Sequence, residues 1–537
     1  MRRPYRTMRH RMSRRLVALG RRLEPTARHR LRRTADFIAT LRRRPVDGTP
    51  EVIDRFDFWA TIAAIADTAT AALARAGVEV VRLDSDGRTA LAVPVEARAE
   101  ALAALAGDPA ASGWWLAGPA GRPAPVSAVA TGRRHRDAAA LTLFRLLAAP
   151  NGTPVAGPEC GVSLQFWTLA EPGTERPDGG THTAGTRLAP IRNPLAAYLT
   201  PGVWQDAQRD PARRLRAEAP AHLLRVAEPI DIVYTWVDDS DPEWRRRRAS
   251  VQPPGTLSAD ALHGGRTEDR DELRYSLRSV SAYAGWYRQI WLVTDGQVPA
   301  WLVDHPRLTV VTHREIFTDP SLLPTFNSHA IESQLHHIDG LAEHFLYFND
   351  DVFIGRPVRP ELFFTGTGLA KFTLAPVAID RQDEPGRLSG AMHAARNNRA
   401  LLADDLGRSV TNRIQHIPHA HLRSSLADFE ARHPDRVSRV AAARFRSPDD
   451  LSLASELGHY WAYARRQAVT TTLAFRYVDI GSPFAAEHLD SLLTRRNQDC
   501  FCVNDAGPYP HPVDGTRVTD FLSAYFPLAS PFERTTA

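Results

Sequence analysis

The sequence predicts an α/β protein in which a main domain with a parallel sheet and a helical C-terminal part follows a small N-terminal α+β module. Three observations carry that prediction. Between residues 231 and 351, four short apolar runs alternate with stretches of helical period. The runs are nearly continuous rather than alternating, as in strands buried on both faces of a parallel sheet. Each run also stops at acids, a histidine or an amide, on the edge where open parallel sheets take their ligands.

In chain order, Phe58 to Ala76 is alanine-rich with a helical period. Val78–Leu83 and Thr89–Pro94 read as two strands joined through Asp84-Ser85-Asp86-Gly87, and Arg98–Ala106 as a second helix. Pro/Gly-rich loops occupy 118–125, 150–158 and 172–185. Residues 46–225 therefore read as the α+β module, with no constellation of acids or histidines. The main domain spans 229–537. Its first strand, Asp231–Val237, stops at Asp238-Asp239. A helix follows from the spacing of Leu273, Leu277, Val280 and Ala284. Gln289–Thr294 stops at Asp295-Gly296, and Leu308–Thr312 at His313-Arg314. Ile331, Leu335, Ile338 and Leu341 predict one further helix. Phe345–Phe348 then runs into Asn349-Asp350-Asp351. An irregular link near 379–396 leads to a helical part beginning near Asn397.

Composition narrows the function classes. At 537 residues the chain can bury two cores. It contains no apolar run long enough to cross a bilayer and no apolar segment behind its N-terminal arginines, so a cytoplasmic protein is expected. Three cysteines, Cys160, Cys500 and Cys502, make no disulfide framework. Cys500 and Cys502 are too close for a structural zinc pair and read as packing residues. The formal charge is +6, but residues 1–44 carry +14, which leaves the rest of the chain at −8. With an acidic body, nucleic acid is not the expected partner. The basic arm, residues 1–45, reads as a tether to anionic membrane or as a solvated tail.

The strand ends hold the candidate site. Asp350 and Asp351 repel each other unless a cation is shared, and hard oxygen ligands suit Mg²⁺ or Mn²⁺ bound beside substrate phosphates. Asp238 is a candidate nucleotide contact, whereas Asp231, at the other end of its strand, reads as structural. Arg270, Arg274 and Arg278 are spaced i, i+4, i+8 and form one face able to cradle phosphate oxygens. Asn327 precedes a helix as its cap and places His329 near the cluster, with Glu332 beyond it. His336 is expected on the solvent face. His416, in His416-Ile417-Pro418-His419, carries the strongest isolated-histidine signal.

The words around these strands resemble the Stealth family of sugar-phosphate transferases. Four blocks match in order, over roughly residues 229–510. They are Ile230–Asp238; Arg270–Ser279 with Leu323–Glu332 and Asn349–Asp351; His416–His419 with Arg444–Ser447; and Cys502–Asp505. The resemblance implies a nucleotide-sugar transferase-like fold. It places His416, as general base, with Arg446 and Asp351 in the catalytic centre. Asp350 and Asp351 hold metal on this reading, and Asp238, Arg270, Arg274, Asn327, His329, Asn349, Asn504 and Asp505 contact substrate. Here Ala506-Gly507 follow Asp505, where the family usually continues with another acid or threonine. The implied reaction moves a hexose-1-phosphate or N-acetylhexosamine-1-phosphate from a UDP-sugar to a hydroxyl of a glycan acceptor, releasing UMP. A metal-dependent glycosyltransferase releasing UDP, and a non-catalytic envelope polysaccharide-binding protein, remain as alternatives.

Overall fold

The computed structural model describes residues 48–85, 88–118, 122–131, 138–176, 179–191, 196–209, 223–252, 270–379, 390–504 and 515–534. The basic arm therefore lies outside the described residues. Pro50–Ala537 form one compact unit.

In the N-terminal part, helix α1 (Phe58–Arg75) is capped by Asp57, whose Oδ1 accepts from Trp59 N at 2.8 Å and Ala60 N at 3.0 Å. Strands β1 (Val81–Ser85) and β2 (Arg88–Pro94) form a hairpin, and helix α2 (Arg98–Gly107) follows. The hairpin joins an eight-stranded sheet through β3 (Val162–Leu169), which runs parallel to β2. Ile65, Leu73, Leu91, Leu105 and Phe166 are buried between the helices and this sheet.

The main sheet contains the four expected strands: β4 (Ile230–Thr235), β5 (Ile290–Thr294), β6 (Leu308–Thr312) and β7 (His344–Asn349). Their order is β6-β5-β4-β7, all parallel. The chain lays strands outward from β4 on one side, then returns to its other side, so the order reverses between β4 and β7. Phe345, Leu346, Tyr347 and Phe348 are all at most 1% exposed, which accounts for their unbroken apolar run. Burial of each such side chain contributes about 1.5–3 kcal/mol. A fifth strand (β9, His419–Leu422) pairs antiparallel with β7, placing His419 opposite Tyr347. A smaller sheet joins β8 (Val352–Ile354), β10 (Phe475–Asp479) and β11 (Cys500–Asn504), with Cys502 opposite Val352.

Asp231 does lie at the opposite edge. Fully buried, it accepts from Arg288 Nε at 2.8 Å, Trp291 Nε1 at 2.9 Å and Ala342 N at 2.8 Å. Two expected elements differ. The helix read through Ile331 to Leu341 breaks into α4 (Ser328–Glu332) and a 3₁₀ turn, Leu335–His337. His336, expected in solvent, is only 4% exposed, because the tighter turn rotates it inward. The helix after the irregular link starts at Gly390, not near Asn397, and runs to Leu406. Residues 380–389 of that link lie outside the described residues.

The arginine face expected to meet phosphate meets the C-terminal segment instead. On helix α3 (Glu272–Tyr283), Arg274 Nε donates to Glu533 Oε2 at 2.6 Å, and Arg278 Nε donates to Oε1 at 2.8 Å. Arg278 also donates to Phe526 O at 3.1 Å, and Ser530 N donates to Glu533 at 2.7 Å. Burial opposes ionisation of Glu533, but the two arginines and Ser530 outweigh it and hold its pKa below the ordinary 4.5. A depressed carboxylate pKa stabilises the fold fully above 4.5 and loses that contribution as pH falls through the folded value. Glu533→Gln should therefore lower unfolding free energy near neutral pH by about 3 kcal/mol. Urea titrations of the two proteins should converge as the pH drops below 4.5, and a constant gap down to acid pH would contradict the assignment.

Candidate active site

Three segments of distant sequence meet at Asp351, beside the point where the strand order reverses. The turn Asn349-Asp350-Asp351 leaves the carboxyl end of β7. Because β9 runs the other way, its amino end lies at that same edge, and the preceding residues deliver His416 there. The pairing of β8 with β11 brings Cys502 and Asn504 to the turn from the other side.

The contacts are direct. His416 Nε2 lies 3.1 Å from Asp351 Oδ1 and 3.3 Å from Oδ2, and Asn349 Nδ2 lies 3.4 Å from His416 Nε2. Cys502 Sγ donates to Asp351 Oδ2 at 3.2 Å, and Asn504 Nδ2 donates to the same oxygen. The Asp351 backbone carbonyl accepts from Val503 N at 3.1 Å. Asp351 is 13% exposed and His416 28%, so the ring is open to a substrate while the carboxylate is mostly enclosed.

Electrostatics follow from those contacts. Burial works against an ionised Asp351, yet the charge of His416 and bonds from His416, Cys502 and Asn504 prevail and its pKa falls. Burial likewise works against protonated His416, but the charge of Asp351 and its hydrogen bond raise the pKa above 6.5. The Cys502 thiol is pushed well up, first by burial and then by Asp351, so it remains a protonated donor. The repulsion expected between Asp350 and Asp351 is thus partly answered by the protein's own donors rather than only by a cation. Carboxylate, imidazole and thiol converge at Asp351, His416 and Cys502. A thiol is the wrong partner for a hard ion. The donors here that would suit Mg²⁺ or Mn²⁺ are the carboxylates of Asp350 and Asp351, and substrate phosphates and water would supply the remaining ligands.

The other expected residues fall into separate groups. Asn327 caps α4, and its Nδ2 donates to Asp450 Oδ2 at 2.9 Å. His329 Nδ1 lies 3.1 Å from that oxygen, and Ser447 N donates to it at 3.0 Å. Arg446 Nη2 donates to Ser328 Oγ at 3.0 Å, so the 444–450 segment is hooked to the start of α4. Asn327 and His329 are buried in this hook rather than presented at the strand ends. Glu332, on the same helix, accepts from Ser455 N at 3.0 Å, and its charge reaches His416. Asp238 Oδ1 accepts from Ser240 N at 2.8 Å and Ser240 Oγ at 2.6 Å, closing its own turn. Arg270 N donates to Glu272 Oε2 at 2.6 Å, and Arg274 is held by Glu533. His419 is buried against His459, 2.9 Å away. Asp505 lies outside the described residues. The residue that sequence reasoning missed is Cys502. Its signal was its place at the head of the Cys502–Asp505 block, where alternation in a strand would put it on the same face as Asn504.

Comparison with known proteins gives a consistent set of matches. The chain matches four conserved regions: Stealth protein CR1, conserved region 1, at 228–252; CR2, conserved region 2, at 266–372; CR3, conserved region 3, at 415–463; and CR4, conserved region 4, at 490–537. An exopolysaccharide phosphotransferase of Streptomyces coelicolor is 41% identical over 478 residues, 86% of this chain and 81% of that protein. Exopolysaccharide phosphotransferase CpsY of Mycobacterium tuberculosis is 37% identical over 408 residues, 75% and 74% of the two chains. Among solved structures, galactosyltransferase LgtC with donor and acceptor sugar analogues aligns over 57% of this chain and 97% of its own. Its TM-score of 0.29 and 11% identity are too slight to bear on chemistry.

Asp351→Asn should cut turnover by at least about a hundredfold, because the amide no longer orients His416 as an anion does. It should also lower stability by about 1–3 kcal/mol, since Asp351 accepts three side-chain bonds. Steady-state rates and urea midpoints check both. Unchanged turnover in a folded variant would remove Asp351 from the centre.

Proposed function

The chain belongs to the Stealth family, and from that premise we propose that it transfers a hexose-1-phosphate or N-acetylhexosamine-1-phosphate from a UDP-sugar to a sugar hydroxyl during exopolysaccharide synthesis. It is a phosphotransferase, as its relatives are named. The observation that carries the reading is the His416–Asp351 contact at the carboxyl ends of a parallel sheet. That is the arrangement of a general base with its orienting acid, where such sheets hold nucleotides.

In the proposed reaction, Asp351 holds the proton on His416 Nε2, which leaves Nδ1 of the neutral ring to take the acceptor's hydroxyl proton. The oxygen attacks the phosphorus that bears the sugar, the bond from that phosphorus to the bridging oxygen breaks, and UMP leaves with that oxygen and its electron pair. Arg446 supplies a planar fork for the phosphoryl oxygens. Mg²⁺ or Mn²⁺ on Asp350 and Asp351 would neutralise diphosphate charge when bound. The basic arm is proposed to hold the protein at anionic membrane.

The nucleotide released decides the reaction class. With the right UDP-sugar the product should be UMP, and the new linkage a phosphodiester by ³¹P resonance that resists phosphomonoesterase. UDP release with no phosphorus in the product would overturn the proposal in favour of a glycosyltransferase. His416→Ala should lose roughly a hundredfold or more. Arg446→Lys should be nearly as poor, since an ammonium lacks the bidentate geometry. Excess EDTA should stop turnover if the carboxylates carry a metal. Deleting residues 1–44 should spare turnover in solution while weakening binding to anionic vesicles, most visibly at low salt.

A further inference from the structure

A second convergence of ligand atoms lies apart from Asp351. His336 and His337 belong to the 3₁₀ turn Leu335–His337, and Glu430 to the helix Arg423–Arg432. His336 Nε2 lies 2.6 Å, and His337 Nε2 2.7 Å, from the same Glu430 Oε2. The two rings are tilted together, with centroids 4.1 Å apart.

The hydrogen positions make this contact informative. His337 Nδ1 is 3.1 Å from the carbonyl oxygen of Ile316, which can only accept, so Nδ1 carries the hydrogen. A neutral His337 therefore turns the bare lone pair of Nε2 toward a carboxylate oxygen that also offers only lone pairs. Such a contact is held together by positive charge, either a proton on Nε2 or a cation among the three atoms.

We propose that His336, His337 and Glu430 bind a late first-row divalent ion, for which Zn²⁺ is the best match. Two imidazoles and one carboxylate are a three-ligand zinc set that leaves the fourth position to water, and they discriminate against Mg²⁺. The carbonyl of Ile316 is the outer partner that fixes a ligating ring. His337 and Glu430 are 22% and 26% exposed, so ion and water have a route in. Zinc bonds of about 2.0–2.1 Å set the donors about 3.3 Å apart, which rotation of the side chains supplies. Among the described residues His336 Nδ1 has no partner, so this ring lacks the outer support that His337 has, and affinity is expected below that of a fully supported centre. The ion would tie the turn that precedes β7 to the helix that follows β9. These are the two strands whose other ends present Asp351 and His416, so the site braces the catalytic pair from behind.

The test uses the full-length chain, stripped by a chelator and titrated with Zn²⁺ against a chromophoric competitor. Binding should be lost in His337→Gln and retained in Cys502→Ala, which disables the other mixed-ligand group. Zn²⁺ should raise the Tm of the parent and of Cys502→Ala but not of His337→Gln. Co²⁺ in the same site should show d–d bands without a thiolate charge-transfer band. If His337→Gln fails to fold, Glu430→Gln supplies the same readout. Equal Zn²⁺ affinity in parent and His337→Gln would overturn the proposal and leave a histidine–glutamate ion pair. Loss of binding in Cys502→Ala alone would assign the ion to the Asp351 group and overturn it equally.

Discussion

The side chain of Asp351 joins the end of one sheet strand to two segments far from it in sequence. It follows one strand of the large sheet and directly precedes a strand of the small one. The histidine facing it arrives on the antiparallel strand, and the thiol and amide arrive on Cys500–Asn504. A buried carboxylate is costly without donors, so these bonds are a condition of its being there at all. The same bonds fix the position of His416. Structure and chemistry therefore constrain one another at this atom group, and neither sheet can shift without disturbing the charge.

A second buried acid works in the same manner at longer range. Glu533 gathers two arginines of the helix Glu272–Tyr283 and the amide of Ser530, binding the end of the chain to the flank of the sheet. Those arginines looked available to substrate when only their spacing was known. Their use as a clasp leaves Arg446, attached near the start of α4, as the arginine the catalytic reading relies on.

The strands of the main sheet were legible because continuous apolar runs obey a simple rule of burial, and their polar ends pointed to the edge that holds Asp351. Asp231 was placed correctly from polarity of position alone: it starts a strand whose other end is the functional one. What escaped was anything requiring pairing between remote segments. Nothing in His416-Ile417-Pro418-His419 says that the following strand runs antiparallel, although that direction puts His416 opposite Asp351. Cys502 looked like a core residue because it is one, and its thiol faces the site only through its register with Val352. His336 was misplaced because a helical period was extended across a turn that tightens to 3₁₀ geometry, shifting each ring by enough to exchange solvent for Glu430.

The antiparallel strand has a consequence for how His416 is placed. Its register with Tyr347 locates His416 whatever the chain does beforehand. The stretch from Leu374 through the helix Gly390–Leu406 to Ile414 is a long excursion that leaves and rejoins at one short strand pair. That strand pair closes the excursion before the chain reaches His416, so His416 takes its place from the strand that follows it and not from the length of chain that precedes it.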